Sequence, residues 1–361
     1  MTEIQTKLAG VRAALAEAGL AGLRLRGVDG FAWATGGGNS AVLLTDEAGV
    51  AEVLVTATDA FALTDAIEAP RLAAEVVPPE FTLWHAPWQT PGAREAFVRD
   101  ATHGGPVASD RPTAGEHALP DALVRARRRL LPDEVGRYRA LGRDAAEVLT
   151  AVLTAARPDW TERDLAAHGS AALWARGIVP ALILVGGERR VARYRHPVPT
   201  AERLGARALV GVCARRHGLV ASLSRWVYFR EPSPAEARLD ADVRDVEAAA
   251  LRHSRPGARL SDVYARFAEA YAAAGYAGEI DRHHQGGTIG YRAREIIASP
   301  TTETAIEAQT AVAWNPSLPG AKVEDTALVS EAGLEILTAD PAWPTVPNAD
   351  GLARPALLVR P

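Results

Sequence analysis

An internal repeat limits the folds that are open to this chain. Three sites recur 98 residues later: Arg157-Pro158 as Arg255-Pro256, Asp164-Leu165 as Asp262-Val263, and Gly177 as Gly275. In each copy an apolar helical pattern precedes the Arg-Pro pair, and Thr161 or Ser261 lies near the start of a second helix. The period is too long for a solenoid unit, so it predicts one domain built from two similar α/β halves. The alternative is chance similarity between Ala- and Arg-rich helices.

Alternating helix and strand patterns over residues 1–120 are typical of an α/β domain. Apolar positions from Leu8 to Ala18 share one helix face, and Gly19 would end that helix. Strands are predicted at 23–26, 41–44 and 50–56, with the last two paired as a hairpin.

A domain boundary is predicted near residue 125. A stretch rich in Gly, Pro, Thr and Ser precedes it at 101–120, and a basic run follows at 125–129. A long amphipathic helix is predicted over 132–156, and strands at 208–213, 218–223, 311–314 and 326–329. These strands would form one curved sheet, with helices outside and a pocket on its concave face. The fold class is therefore α/β (α+β), with domains at 1–125 and 126–361.

Length, charge and cysteine content exclude several classes of function. The 361 residues suffice for two domains, and the net charge of −4 gives no basic field for nucleic acid. No run of 18 apolar residues predicts a membrane span. The single cysteine, Cys213, excludes a disulfide within the chain and is read as a small core residue. With no signal-peptide core at its start, the chain is expected to be cytoplasmic.

Three C-terminal motifs carry a family resemblance: the glycine-rich 286–291, Asn315-Pro316, and Glu324-Asp325-Thr326. Their order and spacing resemble the creatinase / prolidase / Xaa-Pro aminopeptidase family, the "pita-bread" hydrolases. Residues 324–338 are similar to the closing strand-turn-strand of that family, and the resemblance covers nearly the whole chain. It implies a creatinase-type domain at 1–125, a pita-bread domain at 126–361, and a homodimer.

The metal ligands of that family are mostly missing. Its members bind two divalent ions with two Asp, one His and two Glu. The resemblance assigns the bridging Glu to Glu324, while the other four positions hold Gly211, Ser222, Gly287 and Asn315. These four residues supply no charge to balance two dications, so we expect no metal and no other cofactor.

The remaining charged and imidazole groups fit other roles. His196 matches a substrate-side His of the family, which in metal-free creatinase transfers the proton. Arg294 stands where the family has a second catalytic His, and its charge would oppose a metal. His283 and His284, if in a strand, would point to opposite faces. Only one would then enter the pocket, and with Glu324 it would make a poor zinc site.

Three functions remain open on the sequence. The first is a peptidase-like protein that has lost metal-dependent activity but still binds a short peptide or small molecule. The second is a metal-independent, creatinase-like C–N hydrolase, with His196 as general base and Glu324 as its partner. The third is a non-catalytic interaction module.

Six residues are predicted to contact a substrate, through a carboxylate clamp or through hydrogen bonds: Arg292, Arg294, Tyr291, Asn315, Ser222 and His284. The alternative is purely structural. An internal ion pair between Glu324 and Arg294 would fill the former metal site, and His196 would cap a loop.

Overall fold

The computed structural model of the chain describes residues 1–348 and 351–361. It divides into two compact units, Met1–Glu134 with His217–Leu219, and Val135–Arg216 with Val220–Pro361. The first unit thus extends past residue 125, where we expected the boundary. Both units mix helices with strands, which confirms the predicted fold class.

The first unit is a six-stranded sheet with helices. Its helices are α1 (Glu3–Ala18), α2 (Val28–Ala34), α3 (Ala69–Glu75), α4 (Ala93–Ala101) and α5 (Asp121–Arg128). Its strands are β1 (Gly22–Gly27), β2 (Ala48–Thr56), β3 (Ala60–Asp65), β4 (Thr82–Ala86), β5 (Val107–Ser109) and β6 (His117–Ala118), in the order β4-β3-β2-β1-β5-β6. Helix α1 ends at Gly19, whose φ of 64° is the left-handed cap that glycine favours.

One predicted strand of this unit is wrong. Residues 41–44 form bends and turns, and Val42, Leu43 and Leu44 are exposed. Strand β2 pairs instead with β1 on one side and with β3 on the other. The apolar run at 41–44 lacks the polar alternation of a half-buried strand, and both edges of β2 are already occupied.

The second unit holds the remaining elements. Its helices are α6 (Pro132–Ala155, from just before the boundary), α7 (Glu162–Trp174), α8 (Glu188–Val191), α9 (Pro234–His253) and α10 (Leu260–Ala273), followed by a 3₁₀ turn at Ala277–Arg282. Its strands are β7 (Val179–Gly187), β8 (Arg207–Arg216), β9 (Leu219–Tyr228), β10 (Gly286–Ile289), β11 (Ile296–Ile297), β12 (Thr310–Trp314), β13 (Ser317–Leu318), β14 (Ala321–Lys322), β15 (Asp325–Ser330), β16 (Gly333–Ile336), β17 (Thr345–Pro347), β18 (Ala353–Pro355) and β19 (Leu358–Val359).

These strands form two main sheets rather than one continuous sheet. One has the order β19-β9-β8-β7 and the other β11-β10-β12-β15-β16. An isolated β-bridge joins them, in which the Ser224 N–H donates to the carbonyl of Glu324 at 2.9 Å. The expected single sheet is therefore interrupted at this seam, and the seam brings Glu324 next to strand β9.

The repeat corresponds to two helix pairs, α6–α7 and α9–α10, each joined through an Arg-Pro turn. Thr161 caps α7 as expected, with a complete capping box. Helix α10 instead follows Arg259, which makes no side-chain cap, so the expected capping role of Ser261 is wrong. Gly177 and Gly275 lie just beyond α7 and α10 with φ of 66° and 87°.

Helices α9 and α10 bury the apolar face of the second sheet. The rings of Phe267 and Trp314 meet edge to face at 5.5 Å, and Trp314 Nε1 donates to Ser254 Oγ at 2.8 Å. Because Trp314 is thereby fixed, the backbone of the next residue, Asn315, has a defined position. None of the helices among the described residues has an apolar stretch of the length needed to cross a bilayer.

Candidate functional site

A cavity of about 180 Å³ lies in the second unit and collects most of the candidate residues. It is lined by Leu182, Leu184, His196, Gly211, Cys213, His284, Ala293, Arg294, Asn315, Lys322 and Glu324. Five of the predicted site residues therefore line this cavity: His196, His284, Arg294, Asn315 and Glu324. Both main sheets contribute, since β7 and β8 supply one side and the chain around β10 to β15 supplies the other.

Three predicted substrate contacts do not line the cavity as the described residues form it. Ser222 is fully buried behind the wall, where its Oγ lies 3.4 Å from both Cys213 Sγ and Arg294 Nη1. Tyr291 is buried, and the Arg292 N–H donates to Glu295. Cys213, expected in the core, faces the cavity instead. Burial raises the pKa of its thiol, so it is not a poised thiolate nucleophile.

The carboxylate of Glu324 lies between two cations. Its Oε1 accepts a hydrogen bond from Arg294 Nη2 at 2.7 Å, and its Oε2 lies 3.5 Å from Lys322 Nζ. Burial would raise the pKa of Glu324, but Lys322 and Arg294 outweigh it and lower the pKa below its usual value. Glu324 is therefore ionised and paired on both oxygens.

Lys322 is the residue that the sequence analysis missed. Burial lowers the pKa of its ammonium, and its contact with Glu324 only partly offsets this effect. Two signals pointed to it. It is one of only two lysines in the chain, and it precedes Glu324 by two residues, the spacing that places side chains on one face of an extended segment. With one carboxylate and two cations, the site carries a net positive charge.

Three histidines cluster beside this carboxylate. The Nε2 atoms of His196 and His283 lie 3.1 Å apart, and the ring of His283 stacks on that of His284 with 4.8 Å between centroids. The expectation that His283 and His284 point to opposite faces is therefore wrong, although only His284 of the pair lines the cavity, as expected. Strand β10 begins only at Gly286, so the alternation of strand side chains does not apply to them.

Buried hydrogen bonds hold the two adjacent histidines in place. The Gln285 amide donates to the carbonyl of His283, and the Tyr271 hydroxyl donates to Gln285 Oε1 at 3.0 Å. The Asn315 N–H donates to the carbonyl of Gln285 at 3.1 Å, which ties the segment to the end of β12. The pair is thus positioned by a fully buried glutamine.

All three imidazoles are neutral near pH 7. Burial, then Lys322, lowers the pKa of His283 to about 2, and burial, then Arg294, lowers that of His284 to about 4. The pKa of His196 is also lowered, by partial burial and by Lys322. Neutral imidazoles can accept a proton or bind a metal ion, whereas imidazolium can do neither.

Glycine is required at the start of β10. A Cβ at Gly287 would lie 1.9 Å from the carbonyl oxygen of Ile296, and one at Gly286 would lie 2.0 Å from that of Ala313. The two neighbouring strands, β11 and β12, therefore approach the backbone here more closely than any side chain would permit.

The donor atoms do not fit a dinuclear metal centre at the five positions that the resemblance assigns. Gly211 and Gly287 have no side-chain donor, Ser222 lies behind the wall, and Asn315 is uncharged. Glu324 already pairs with two cations, which a pair of dications would have to displace. Two bridged dications need several anionic oxygens, and one carboxylate does not supply them.

Sequence comparison decides the family. Residues 136–331 match the model of metallopeptidase family M24. The chain belongs to metallopeptidase family M24. The resemblance to pita-bread hydrolases is thereby confirmed, and the matched residues include the cavity and every histidine of the cluster.

Three solved structures share the fold over nearly the whole chain. Dipeptidase PepE from Mycobacterium ulcerans is 21% identical, with a TM-score of 0.77 over 99% of this chain and 98% of its own. The Xaa-Pro dipeptidase from Bacillus anthracis is 16% identical, with a TM-score of 0.77 over 99% of both chains. The N-terminal domain of FACT complex subunit SPT16 from Cicer arietinum is 12% identical, with a TM-score of 0.71 over 93% and 96%. No curated protein matches the chain.

Proposed function

We propose that this M24 chain is a relative of the Xaa-Pro peptidases that lacks the dinuclear metal centre of the family. It binds a short peptide or a small molecule in the cavity and does not cleave Xaa-Pro bonds. The observation that carries this proposal is the pairing of Glu324 with Arg294 and Lys322. Glu324 is the single carboxylate at the five assigned positions, and both of its oxygens face protein cations.

Electrostatics supports the loss of the two metals. A dication at Glu324 would be repelled by the positive charges of Arg294 and Lys322. This repulsion is strong because the site is buried. Arg294 also reaches toward Ser222, so it touches two of the assigned metal positions at once. The guanidinium thus occupies the region in which a metal would need to bind.

The cavity favours a ligand with a negative group. Its net positive charge attracts an anion, while Leu182 and Leu184 offer an apolar surface beside it. Asn315 Oδ1 is buried with no hydrogen-bond partner among the described residues, so it would accept an N–H from the ligand. A small amide or peptide that carries a carboxylate meets all three requirements.

Peptidase assays test the loss of activity. Purified full-length protein, supplied with Mn²⁺ or Co²⁺, should not release the residue that precedes proline from a panel of Xaa-Pro peptides. Metal-stimulated cleavage that is lost in Glu324→Gln would contradict the proposal.

Calorimetric titration tests binding. Dipeptides with a free carboxylate should bind more tightly than their C-terminal amides, and Arg294→Gln should remove that preference. Arg266→Gln is the matched control, because Arg266 is a more exposed arginine paired with Glu269 on α10. Equal affinity for acids and amides in the unmodified protein would argue against the anion site.

A metal-independent C–N hydrolase is the second candidate. His196 lines the cavity, is neutral, and lies beside His283, so it could act as a general base. Creatine-like and N-acyl substrates, assayed in the presence of a chelator, would reveal turnover. Turnover that persists in His196→Ala would exclude this mechanism.

An interaction module is the third candidate, and the fold shared with a FACT complex subunit favours it. It predicts a specific protein partner together with no turnover of any substrate. The homodimer also remains a proposal, which light scattering on the purified chain would test.

A further inference from the structure

The cluster of His196, His283 and His284 suggests a site that the M24 resemblance does not include. We propose that these three side chains bind one first-row transition-metal ion of the kind that prefers imidazole, such as Zn²⁺ or Ni²⁺. One potential ligand nitrogen from each ring lies within 4.8 Å of the others. This site uses none of the five assigned dinuclear positions, and it goes beyond the proposed function of the cavity.

The spacing is close to that of a metal site. Zn–N bonds of about 2.0–2.1 Å in a tetrahedron place two ligand nitrogens roughly 3.3 Å apart. The Nε2 atoms of His196 and His283 are already 3.1 Å apart. The third nitrogen must approach by up to roughly 1.5 Å, which a rotation of an imidazole ring supplies. Three imidazoles leave a fourth position open for water or for a ligand in the cavity.

One unsatisfied atom points to a missing binding partner. The Nδ1 atom of His284 is buried and has no hydrogen-bond partner among the described residues; the Nδ1 atom of His283 has none either, but His283 would bind the ion through the Nε2 atom that faces His196. Buried polar atoms in native proteins are usually paired, and orphans concentrate where a ligand, ion or water belongs. The buried network around Gln285 holds the backbone of His283 near this position.

Nearby charges affect the affinity of the site for a metal ion. Arg195 pairs with Glu279, and Arg294 pairs closely with Glu324, so each of these cations has a carboxylate partner. Among the described residues, Lys322 pairs with Glu324 at 3.5 Å and is the least compensated of the three cations. Its charge therefore opposes a bound dication most, and removal of this charge should strengthen metal binding.

Calorimetric titration of chelator-treated, full-length protein with Zn²⁺ and Ni²⁺ tests the proposal. We expect one ion per chain, and much weaker binding of Mn²⁺, which prefers oxygen ligands. Co²⁺ should give a visible absorption spectrum with imidazole coordination. Each of His196→Ala, His283→Ala and His284→Ala should weaken Zn²⁺ binding by at least about tenfold.

The matched control is His85→Ala, because His85 is an exposed histidine of the first unit. It should bind Zn²⁺ as the unmodified protein does, and circular dichroism should show that all variants fold. Lys322→Met should tighten Zn²⁺ binding by about tenfold, since it removes an opposing charge. Zn²⁺ binding that is absent, or that is equally weakened by His85→Ala and His283→Ala, would overturn the site.

One outcome separates this site from a failure of the proposed function. If two ions bind per chain and Glu324→Gln abolishes binding while His283→Ala does not, the carboxylate positions hold the metal. That result would refute both the proposed loss of the dinuclear centre and the histidine site. Binding of one Zn²⁺ that depends on His283, without cleavage of Xaa-Pro peptides, supports both.

Discussion

Glu324 and Asp325 are adjacent carboxylates with opposite surroundings. Both are buried, and they face different sides of the chain at the start of β15. Asp325 belongs to a closed network of complementary charges, whereas Glu324 faces a cavity with excess positive charge and unpaired polar atoms. The difference separates a cluster that stabilises the fold from the one that we propose to bind a ligand.

The Asp325 network is electrically neutral and fully bonded. Asp325 Oδ1 accepts from Arg225 at 2.9 Å and from Thr338 Oγ1 at 2.6 Å, and its Oδ2 accepts from Arg354 at 2.8 Å. Arg354 also donates twice to Glu247, at 2.6 and 2.7 Å. Two carboxylates meet two guanidinium groups, and each carboxylate oxygen has a donor.

The Glu324 side is incomplete by comparison. One carboxylate meets two cations, and hydrogen-bond partners are missing in the described residues for Arg294 Nε, Asn315 Oδ1 and the Nδ1 atoms of His283 and His284. Such deficits reduce stability, so their concentration around one cavity favours a binding role there. Burial of charge alone would not have distinguished the two clusters.

The largest predicted effect is in the closed network. Arg354→Leu would leave the carboxylates of Glu247 and Asp325 buried without their shared partner. We expect the free energy of unfolding, measured in urea, to fall by about 3–5 kcal/mol.

The control for that loss is the exposed pair of Arg139 and Glu335, which are also joined by two hydrogen bonds. Arg139→Leu should change the free energy of unfolding by less than about 1 kcal/mol. If the two arginine variants lose equal stability, the network does not hold the fold together.

Asp240 sharpens the comparison, because it is a buried carboxylate with a single ion-pair partner. Burial raises its pKa to about 6, and Arg244 at 3.0 Å only partly opposes the rise. The folded protein then holds a proton that the unfolded chain releases near pH 4, so Asp240 reduces stability as the pH rises through 6.

Asp240→Asn should therefore flatten the pH dependence of the melting temperature between pH 4 and pH 7. Because the pKa rises from 3.8 to about 6, this group alone should make the unmodified protein about 2–3 kcal/mol less stable at pH 7 than at pH 4. A variant whose melting temperature keeps the same dependence on pH would show that Asp240 titrates normally.

The smallest predicted effect is on the cavity side. Lys322→Met removes an incompletely compensated buried charge and keeps the apolar stem of the side chain. We expect the free energy of unfolding to rise by about 1 kcal/mol at pH 7, the opposite sign to Arg354→Leu. A clear loss of stability in urea would mean that Lys322 supports the fold and is not retained for binding.

Much of the fold was predictable from local pattern. The long helix at 132–156, the strand pairs around 208–228 and the helix pairs of the repeat all follow from periodicity and from Gly and Pro positions. Residues 41–44 were misassigned because an isolated apolar run does not reveal that both edges of β2 are taken. Strand partners are set by tertiary contacts, which the local sequence does not record.

The site was predictable as a set of positions but not as a geometry. The motifs identified Glu324, Arg294, Asn315 and His196, which the cavity brings together. The side on which His283 and His284 lie depends on where β10 begins, which is the least certain part of a sequence assignment. Lys322 was missed because its role arises from burial, and burial of a lysine is not visible in sequence.

The close strand spacing at Gly287 limits which residues can replace this glycine. The family's metal-binding His corresponds to this position, and any side chain there would collide with the Ile296 carbonyl oxygen. A Gly287→His substitution must therefore move the backbone of β10 or β11 before it can offer a ligand. An imidazole at this position would therefore require a wider strand spacing, so the backbone geometry, together with the missing carboxylates, supports the proposed loss of the dinuclear centre.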